Sequence, residues 1–179
     1  MPNWCTNILS LTGNRTSIDK FKQMATSGEE GVFKFQNLIP MPTDKERQLE
    51  ESKECYLRKF TTPGQEENSL EDAWYHWRVH NWGTKWDLDE EAVQEILEDE
   101  NCLILEFDTA WSPPVPLVEA ICKLFPQLEF QLEYYELGNF FAGHAVFERG
   151  MMMKHEEGTP EDFAFCVEQA EEMLDVNGE

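Results

Sequence analysis

The chain has 179 residues, a hydrophobic fraction of 41% and a formal net charge of −22. This length fits one globular domain with a sizeable core, and the apolar content argues against wholesale disorder. The negative charge argues against direct binding to DNA or RNA, because phosphates would be repelled.

The N-terminus reads MPNW, with neither a basic segment nor an apolar run, so we expect no secretory signal. No apolar stretch is long enough to span a bilayer. The five cysteines are irregularly spaced and form no CxxC pair, which favours buried thiols in a reducing compartment. We therefore expect a protein that lies in the cytoplasm of its host cell and does not contact a membrane.

The charge is unevenly distributed along the chain. Residues 1–85 hold 11 Lys/Arg and 12 Asp/Glu, whereas residues 86–179 hold 3 Lys/Arg and 24 Asp/Glu. Their net charges are therefore −1 and −21. Such an asymmetry indicates either a surface that keeps molecules apart in solution or a surface that binds a basic partner.

The N-terminal part predicts a strand, a helix and a second strand. Residues 4–11 (WCTNILSL) read as a strand, and a helix capped by Thr16 or Ser17 follows. Residues 32–37 (VFKFQN) alternate between apolar and polar side chains, which predicts a short strand. Residues 43–67 are rich in charge and predict an exposed insert, part helical and part mobile.

The middle of the chain predicts two helices around a short strand. Residues 69–80 carry apolar side chains at helical spacing. Residues 84–87 then predict a strand or its start, and residues 89–98 predict an acidic helix. The inward side chains of that acidic helix would be Val93, Ile96 and Leu97.

The C-terminal half has the strongest patterns. Residues 102–108 (CLILEFD) predict a buried strand and residues 115–125 a helix. Residues 128–136 and 140–147 predict a β-hairpin with one wet, acidic face. A last helix should begin at Thr159, with an acidic face and an apolar stripe. The stripe comprises Phe163, Cys166, Val167, Ala170, Met173 and Leu174.

These elements predict an α+β fold, with an antiparallel, ferredoxin-like βαββαβ sheet and helices on one face. We expect the ferredoxin-like domain to span residues 1–148, including the insert at about 43–67. Residues 149–179 would form an acidic, helical C-terminal extension.

Several motifs, in this order, resemble the YubB-like ferredoxin-fold family of phage and plasmid proteins. Two of them contain tryptophan: the first tryptophan motif is residues 81–87 (NWGTKWD) and the second tryptophan motif is residues 107–114 (FDTAWSPP). The others are residues 1–7 (MPNWCTN), 39–42 (IPMP), 134–136 (YYE) and 141–143 (FAG). The resemblance implies a ferredoxin-like fold and a mobile-element origin, and it brings no activity.

The two tryptophan motifs predict a structural hub with a possible cleft. The cleft would contain Trp82, Trp86, Asp87, Asp108 and Trp111. Paired carboxylates can divide acid and base roles, but each Asp can also cap a turn or helix. The tryptophans can likewise line a groove or fill the core.

Two further groups invite a chemical interpretation that we consider weaker. Asp72, His76 and His80 have the spacing of metal ligands on one helix face, but a fourth ligand is not identifiable. Cys5 lies within a strand with no basic residue beside it, which favours a buried structural thiol over a nucleophile. We therefore expect no metal, no cofactor and no catalytic residue.

The first functional hypothesis is a non-enzymatic acidic binding protein, such as a counter-defence inhibitor or DNA mimic. It would occupy a basic, nucleic-acid-handling surface of a host protein. The alternatives are a small enzyme or ligand-binding protein with a Trp/Asp-lined cleft, and a self-associating structural protein. The residues predicted to contact the basic partner are Glu129, Glu133, Glu136, Glu161, Glu168, Glu171 and Glu172.

Overall fold

The computed structural model describes residues 2–27, 32–60, 71–89 and 92–163, without the side chains of 53–60. Within this part, no helix is long and apolar enough to cross a membrane. The helices are α1 (Arg15–Ala25), α2 (Phe35–Leu38), α3 (Lys45–Phe60), α4 (Ala73–Asn81) and α5 (Val115–Leu124). The strands are β1 (Trp4–Thr12), β2 (Val93–Glu98), β3 (Cys102–Ala110), β4 (Glu129–Glu136), β5 (Phe141–Glu148) and β6 (Met151–Gly158).

The six strands form one antiparallel sheet in the order β2-β3-β1-β4-β5-β6. Elements β1, α1, β2, β3, α5 and β4 follow one another as a βαββαβ unit, whose strands take the interleaved order β2-β3-β1-β4. This is the predicted ferredoxin-like core, and the prediction is confirmed. Strands β5 and β6 extend the sheet beyond β4.

One face of the sheet, the helix face, is covered by the helices and contains the main core. Strand β1 alternates between buried and partly exposed residues, with Leu9 and Leu11 buried. The ring of Phe21 from α1 packs edge-on against Phe130 of β4, with centroids 6.1 Å apart. We call the opposite side the open face. Of the described elements, helices α1–α5 do not pack on it, whereas Phe163, which follows a 3-10 turn at Pro160–Asp162, packs against Tyr135 and Ala142 at one end of it.

Helices α2, α3 and α4 lie between α1 and β2 in the chain and form the insert of the fold. Phe35 of α2 packs edge-on against Phe107 of β3, with centroids 5.8 Å apart. Helix α3 lies within the predicted insert and rests on α4. Its Gln48 and Ser52 are buried, and Glu51 accepts a 2.7 Å hydrogen bond from Nε1 of Trp77.

Three elements predicted between α1 and β3 are wrong, and the N-cap of α1 is Asn14 rather than the predicted Thr16 or Ser17. Residues 32–37 form no strand, because Phe35 instead begins α2. Residues 84–87 form no strand, because residues 84–86 are bends and none of the four pairs with a strand. The acidic helix predicted over residues 89–98 is wrong, because Val93–Glu98 is edge strand β2, which has a bulge between Glu95 and Leu97. Ile96 and Leu97, predicted to face inward, are 49% and 44% exposed.

The C-terminal extension also differs from the helix predicted for it. Residues 151–158 form β6, which pairs with β5 although its Met-rich, charged sequence has no strand alternation. Thr159 begins a helical turn as predicted, with a capping box to Asp162. That turn is a single 3-10 turn, because Phe163 is extended (φ −123°, ψ 122°). Residues 164–179, where the predicted helix would continue, lie outside the described residues.

Gly83 generates a prediction for stability. Its φ is +84°, and a Cβ at this position would lie 2.7 Å from the Pro113 carbonyl oxygen. Gly83→Ala should lower the free energy of unfolding by about 2–5 kcal/mol, since it combines left-handed strain with a backbone clash. Urea denaturation measures this loss.

Gly150→Ala is the matched control. Gly150 has φ +79°, but the nearest atom to an added Cβ is 3.6 Å away. The free energy of unfolding should then fall only by the cost of the left-handed conformation, about 1–2 kcal/mol. Equal losses in the two variants would contradict the close packing of Gly83 against the second tryptophan motif.

Candidate functional site

The open face carries three regularly spaced glutamates, which we call the glutamate row: Glu106, Glu133 and Glu156. The strand register places Ile8 of β1 between Glu106 and Glu133, and His144 of β5 between Glu133 and Glu156. The glutamates therefore sit on every second strand, about 10 Å apart given the usual strand spacing. The row crosses five of the six strands.

Other charges on the open face are also mostly negative. The same alternation places Asp108, Glu129 and Glu148 on this face. Among described strand residues of the open face, Lys154 is the basic member, and it pairs with Glu156 at 2.8 Å. Because both partners of that pair are exposed, it contributes little stability.

The predicted partner-binding glutamates fall into four groups. Glu129 and Glu133 lie on the open face, and Glu161 is exposed on the 3-10 turn. Glu136 was predicted to contact the partner, but its side chain is only 3% exposed, so this prediction is wrong. It accepts hydrogen bonds from the backbone N–H groups of Gly138 and Asn139, so its charge stabilises the β4–β5 turn. Glu168, Glu171 and Glu172 lie outside the described residues.

The two tryptophan motifs are joined directly by hydrogen bonds. The buried Thr84 hydroxyl donates to the Ala110 carbonyl at 2.9 Å. The Ser112 hydroxyl donates to the Gly83 carbonyl at 2.6 Å. Thr109 in turn donates to the Ser112 carbonyl at 2.8 Å, which fixes the turn after β3. The predicted hub is thus a joint between the insert and the sheet.

Trp82, predicted to line the cleft, is a core residue instead. Its side chain is fully buried and donates from Nε1 to the Ile39 carbonyl at 2.9 Å. The Arg78 guanidinium lies over its ring, 4.9 Å from the centroid. Burial lowers the pKa of Arg78, and the nearby Asp87 carboxylate opposes that shift. Trp111 follows β3 with a left-handed φ of 72°; it is exposed and is not among the residues that line the cleft.

Asp87 clamps the start of α2. Its Oδ1 accepts hydrogen bonds from the backbone N–H of Phe35 (2.6 Å) and of Leu88 (2.8 Å), and its Oδ2 accepts from that of Gln36 (3.1 Å). Because α2 has no side-chain cap of its own, Asp87 supplies the acceptor that a helix N-terminus needs. Of the two roles considered for Asp87, catalysis and helix capping, its contacts therefore match helix capping.

A cleft of about 650 Å³ lies beside this clamp. Trp86, Asp87 and Asp108 line it, so three of the five predicted cleft residues come together. The other described residues that line it are Trp4, Lys34, Arg78, Leu88, Asp89 and Ala92. Sequence reasoning missed Trp4, although the alternation of β1 places it on the side opposite the buried Cys5.

Cys5 has the environment of a structural thiol. It is fully buried, and this burial, with smaller effects from Glu136 and Asp108, raises its pKa to about 12. The neighbouring Asn7 is also buried and donates from Nδ2 to Thr109 Oγ1 (2.9 Å) and the Phe107 carbonyl (3.1 Å). The pair therefore links β1 to β3 and offers no nucleophile near neutral pH.

A second titratable cluster joins β4 to β6. The Tyr134 hydroxyl lies 2.8 Å from His155 Nε2 and donates to Glu157 Oε1 at 3.1 Å. The Tyr134 side chain passes over β5 at Gly143, where an added Cβ would clash with it. Burial and Glu157 raise the pKa of Tyr134, so the phenol stays protonated and holds the edge strand.

His76 and His80 lie on α4, and Asp72 is its N-cap residue. Within the described ranges, no group of three or more His, Cys, Asp or Glu side chains is arranged to hold a metal ion. His76 instead packs edge-on against the ring of Tyr75, with centroids 5.4 Å apart.

The Asp87 clamp predicts a stability effect. Asp87→Asn should lower the free energy of unfolding by about 1–2 kcal/mol, because the charged acceptor of two helix N–H groups becomes a neutral amide. Thermal or urea denaturation measures the change. The matched control is Asp89→Asn, since Asp89 is exposed and lies two residues away. A loss as large in the control would argue against a specific clamp.

The thiol of Cys5 predicts slow alkylation. With a pKa of about 12, roughly one molecule in ten thousand carries the thiolate at pH 8. Iodoacetamide should therefore leave Cys5 unmodified in the folded protein and label it after denaturation, as measured by peptide mass spectrometry. The half-buried Cys102 is the internal comparison, and labelling of Cys5 at the same rate would contradict the burial argument.

Comparison with known proteins agrees with the fold. A crystal structure of a protein Api92 from Yersinia pseudotuberculosis is similar with a TM-score of 0.53, over 88% of this chain and 98% of that chain. The sequence identity is 12%, so this likeness concerns the fold alone. No curated protein sequence matches the chain significantly. The family model described as the ferredoxin-like domain in Api92-like protein matches residues 81–177. Because this match covers more than half of the chain, the protein belongs to the family of the ferredoxin-like domain in Api92-like protein.

Proposed function

We propose that the chain is a non-enzymatic binding protein of a phage or plasmid, whose open face occupies a basic, nucleic-acid-handling surface of a host protein. The observation that carries this proposal is the glutamate row. Three carboxylates spaced at every second strand form an extended negative surface on the sheet. Such a surface is complementary to proteins that normally bind phosphate backbones.

The side chains between the glutamates support binding to a protein. Ile8 lies between Glu106 and Glu133, and Ile104 and Val146 lie in the neighbouring cross-strand row. These apolar side chains are partly exposed. A protein interface commonly combines buried apolar contacts with charged groups that guide association.

The cleft supports an enzyme less well than the open face supports a binding protein. An acid–base pair would need Asp87 and Asp108 to be available, but both oxygens of Asp87 accept backbone hydrogen bonds. Cys5 cannot replace them as a nucleophile, because burial raises its pKa to about 12. The mobile-element origin rests on the resemblance of the tryptophan motifs to the YubB-like family, and inhibition of a host factor would suit such an origin.

The proposal predicts salt-sensitive capture. The full chain, immobilised and exposed to a bacterial lysate at low salt, should retain a basic protein that handles nucleic acid. Raised salt should release the captured protein, since charge attraction between exposed groups is screened. Added duplex DNA should also release it, because DNA and this chain would compete for one surface.

Matched variants test whether the open face is responsible. The triple variant Glu106→Gln, Glu133→Gln and Glu156→Gln should reduce capture by at least about tenfold. The control Glu46→Gln, Glu50→Gln and Glu71→Gln removes the same charge from exposed positions of the insert and should retain capture. The proposal fails if no basic protein is captured, if DNA does not compete, or if the control loses as much.

A further inference from the structure

Two tryptophan rings at the edge of the open face have exposed surface available for a ligand. Trp4 is 50% exposed and Trp86 is 37% exposed, and their centroids lie 6.1 Å apart with planes tilted by 49°. Both line the 650 Å³ cleft. Exposed tryptophans paired across a cleft are a common feature of binding surfaces.

The protein already stacks cations on the neighbouring aromatic rings. Arg78 lies over Trp82 and, at 5.4 Å, over Trp74. Lys85 Nζ lies 5.0 Å from the centroid of Trp86. In the described part of the chain, no cation lies over Trp4. The indole with the largest exposed surface in this cleft is therefore open to a cation from outside.

The carboxylates of the cleft favour a positive ligand. Among the described residues of its lining, the carboxylates Asp87, Asp89 and Asp108 outnumber the cations Lys34 and Arg78 by one. Asp87 and Arg78 interact electrostatically with each other. Asp108 is exposed and is oriented by a 2.8 Å hydrogen bond from the Thr6 hydroxyl.

We propose that this cleft binds an arginine side chain of a protein partner, stacked on Trp4 and paired with Asp108. The inference rests on the proposed function, since Asp108 lies two residues from Glu106 on β3 and thus continues the same acidic surface. Arginine fits better than lysine because its planar guanidinium stacks on indole and offers a carboxylate two parallel donors.

The experiment uses N-acetyl-arginine amide as the probe and N-acetyl-citrulline amide as its neutral isostere. Titration of the ¹⁵N-labelled full chain should shift the indole N–H signals of Trp4 and Trp86, while that of the buried Trp82 stays in place. The citrulline compound should bind at least tenfold more weakly. Equal binding of the citrulline or the corresponding lysine compound overturns the proposal.

Two variants locate the binding. Asp108→Asn keeps an acceptor for Thr6 and should weaken the arginine probe about tenfold, and Trp4→Ala should abolish the shift at Trp86. Asp19→Asn, an equal charge change on exposed α1, should leave affinity within twofold. A loss in Asp19→Asn equal to that in Asp108→Asn overturns the site, and an undisturbed Trp82 signal verifies folding in each variant.

The probe needs no partner protein, so the two proposals fail separately. If the probe shows no arginine selectivity while capture still depends on the glutamate row, the cleft proposal alone fails. If the probe binds selectively but no basic protein is captured, the proposed function fails, and so does the assignment of the cleft to a protein partner.

Discussion

The hydrogen-bonded joint between the two tryptophan motifs is the constraint on which the rest of the structure depends. It consists of the Thr84–Ala110 and Ser112–Gly83 hydrogen bonds and the close contact of Gly83 with Pro113. The joint fixes the insert against the end of β3. It consequently sets the position of Trp82 in the core, of Asp87 at the start of α2, and of Trp86 at the cleft. The specificity of both motifs follows from this geometry.

The charge of the protein is distributed differently on the two faces of the sheet. On the helix face, the edge carboxylates are paired: Glu98 contacts Arg15 at 2.7 Å and Lys22 at 2.7 Å, and Lys22 also contacts Glu95 at 3.0 Å. These cations come from α1, in the N-terminal half, where the chain is nearly neutral overall. Helix α1 packs on the helix face, so the open face receives none of these cations. The sequence asymmetry therefore becomes an asymmetry of surface, because the acidic C-terminal half supplies five of the six strands.

The ferredoxin-like core could be predicted because its elements carry their own periodic patterns. The helix at Val115–Leu124 and the β4–β5 hairpin are examples, and both agree with the structure. Strands β2 and β6 could not be predicted, because edge strands form where a neighbouring strand offers unpaired backbone groups. Helix α2 was missed for a similar reason, since its cap is Asp87, 52 residues away in sequence. Of the cleft, the sequence indicated Trp86, Asp87 and Asp108, whereas Trp4 and Arg78 join them only through the tertiary fold.

Asp87 and Asp108 differ in whether the fold needs their charge. Each residue lies in a tryptophan motif, Asp87 directly after Trp86 and Asp108 within β3, three residues before Trp111. Asp87 uses both oxygens to hold backbone N–H groups, so its replacement would alter the fold before any binding step. Asp108 is exposed and accepts a hydrogen bond from Thr6 that an amide could equally accept. Its charge is therefore not required by that contact. The proposed pairing with an arginine, next to the exposed Trp4, depends on this charge, so Asp108 can be changed to test binding without removing a contact that the fold needs.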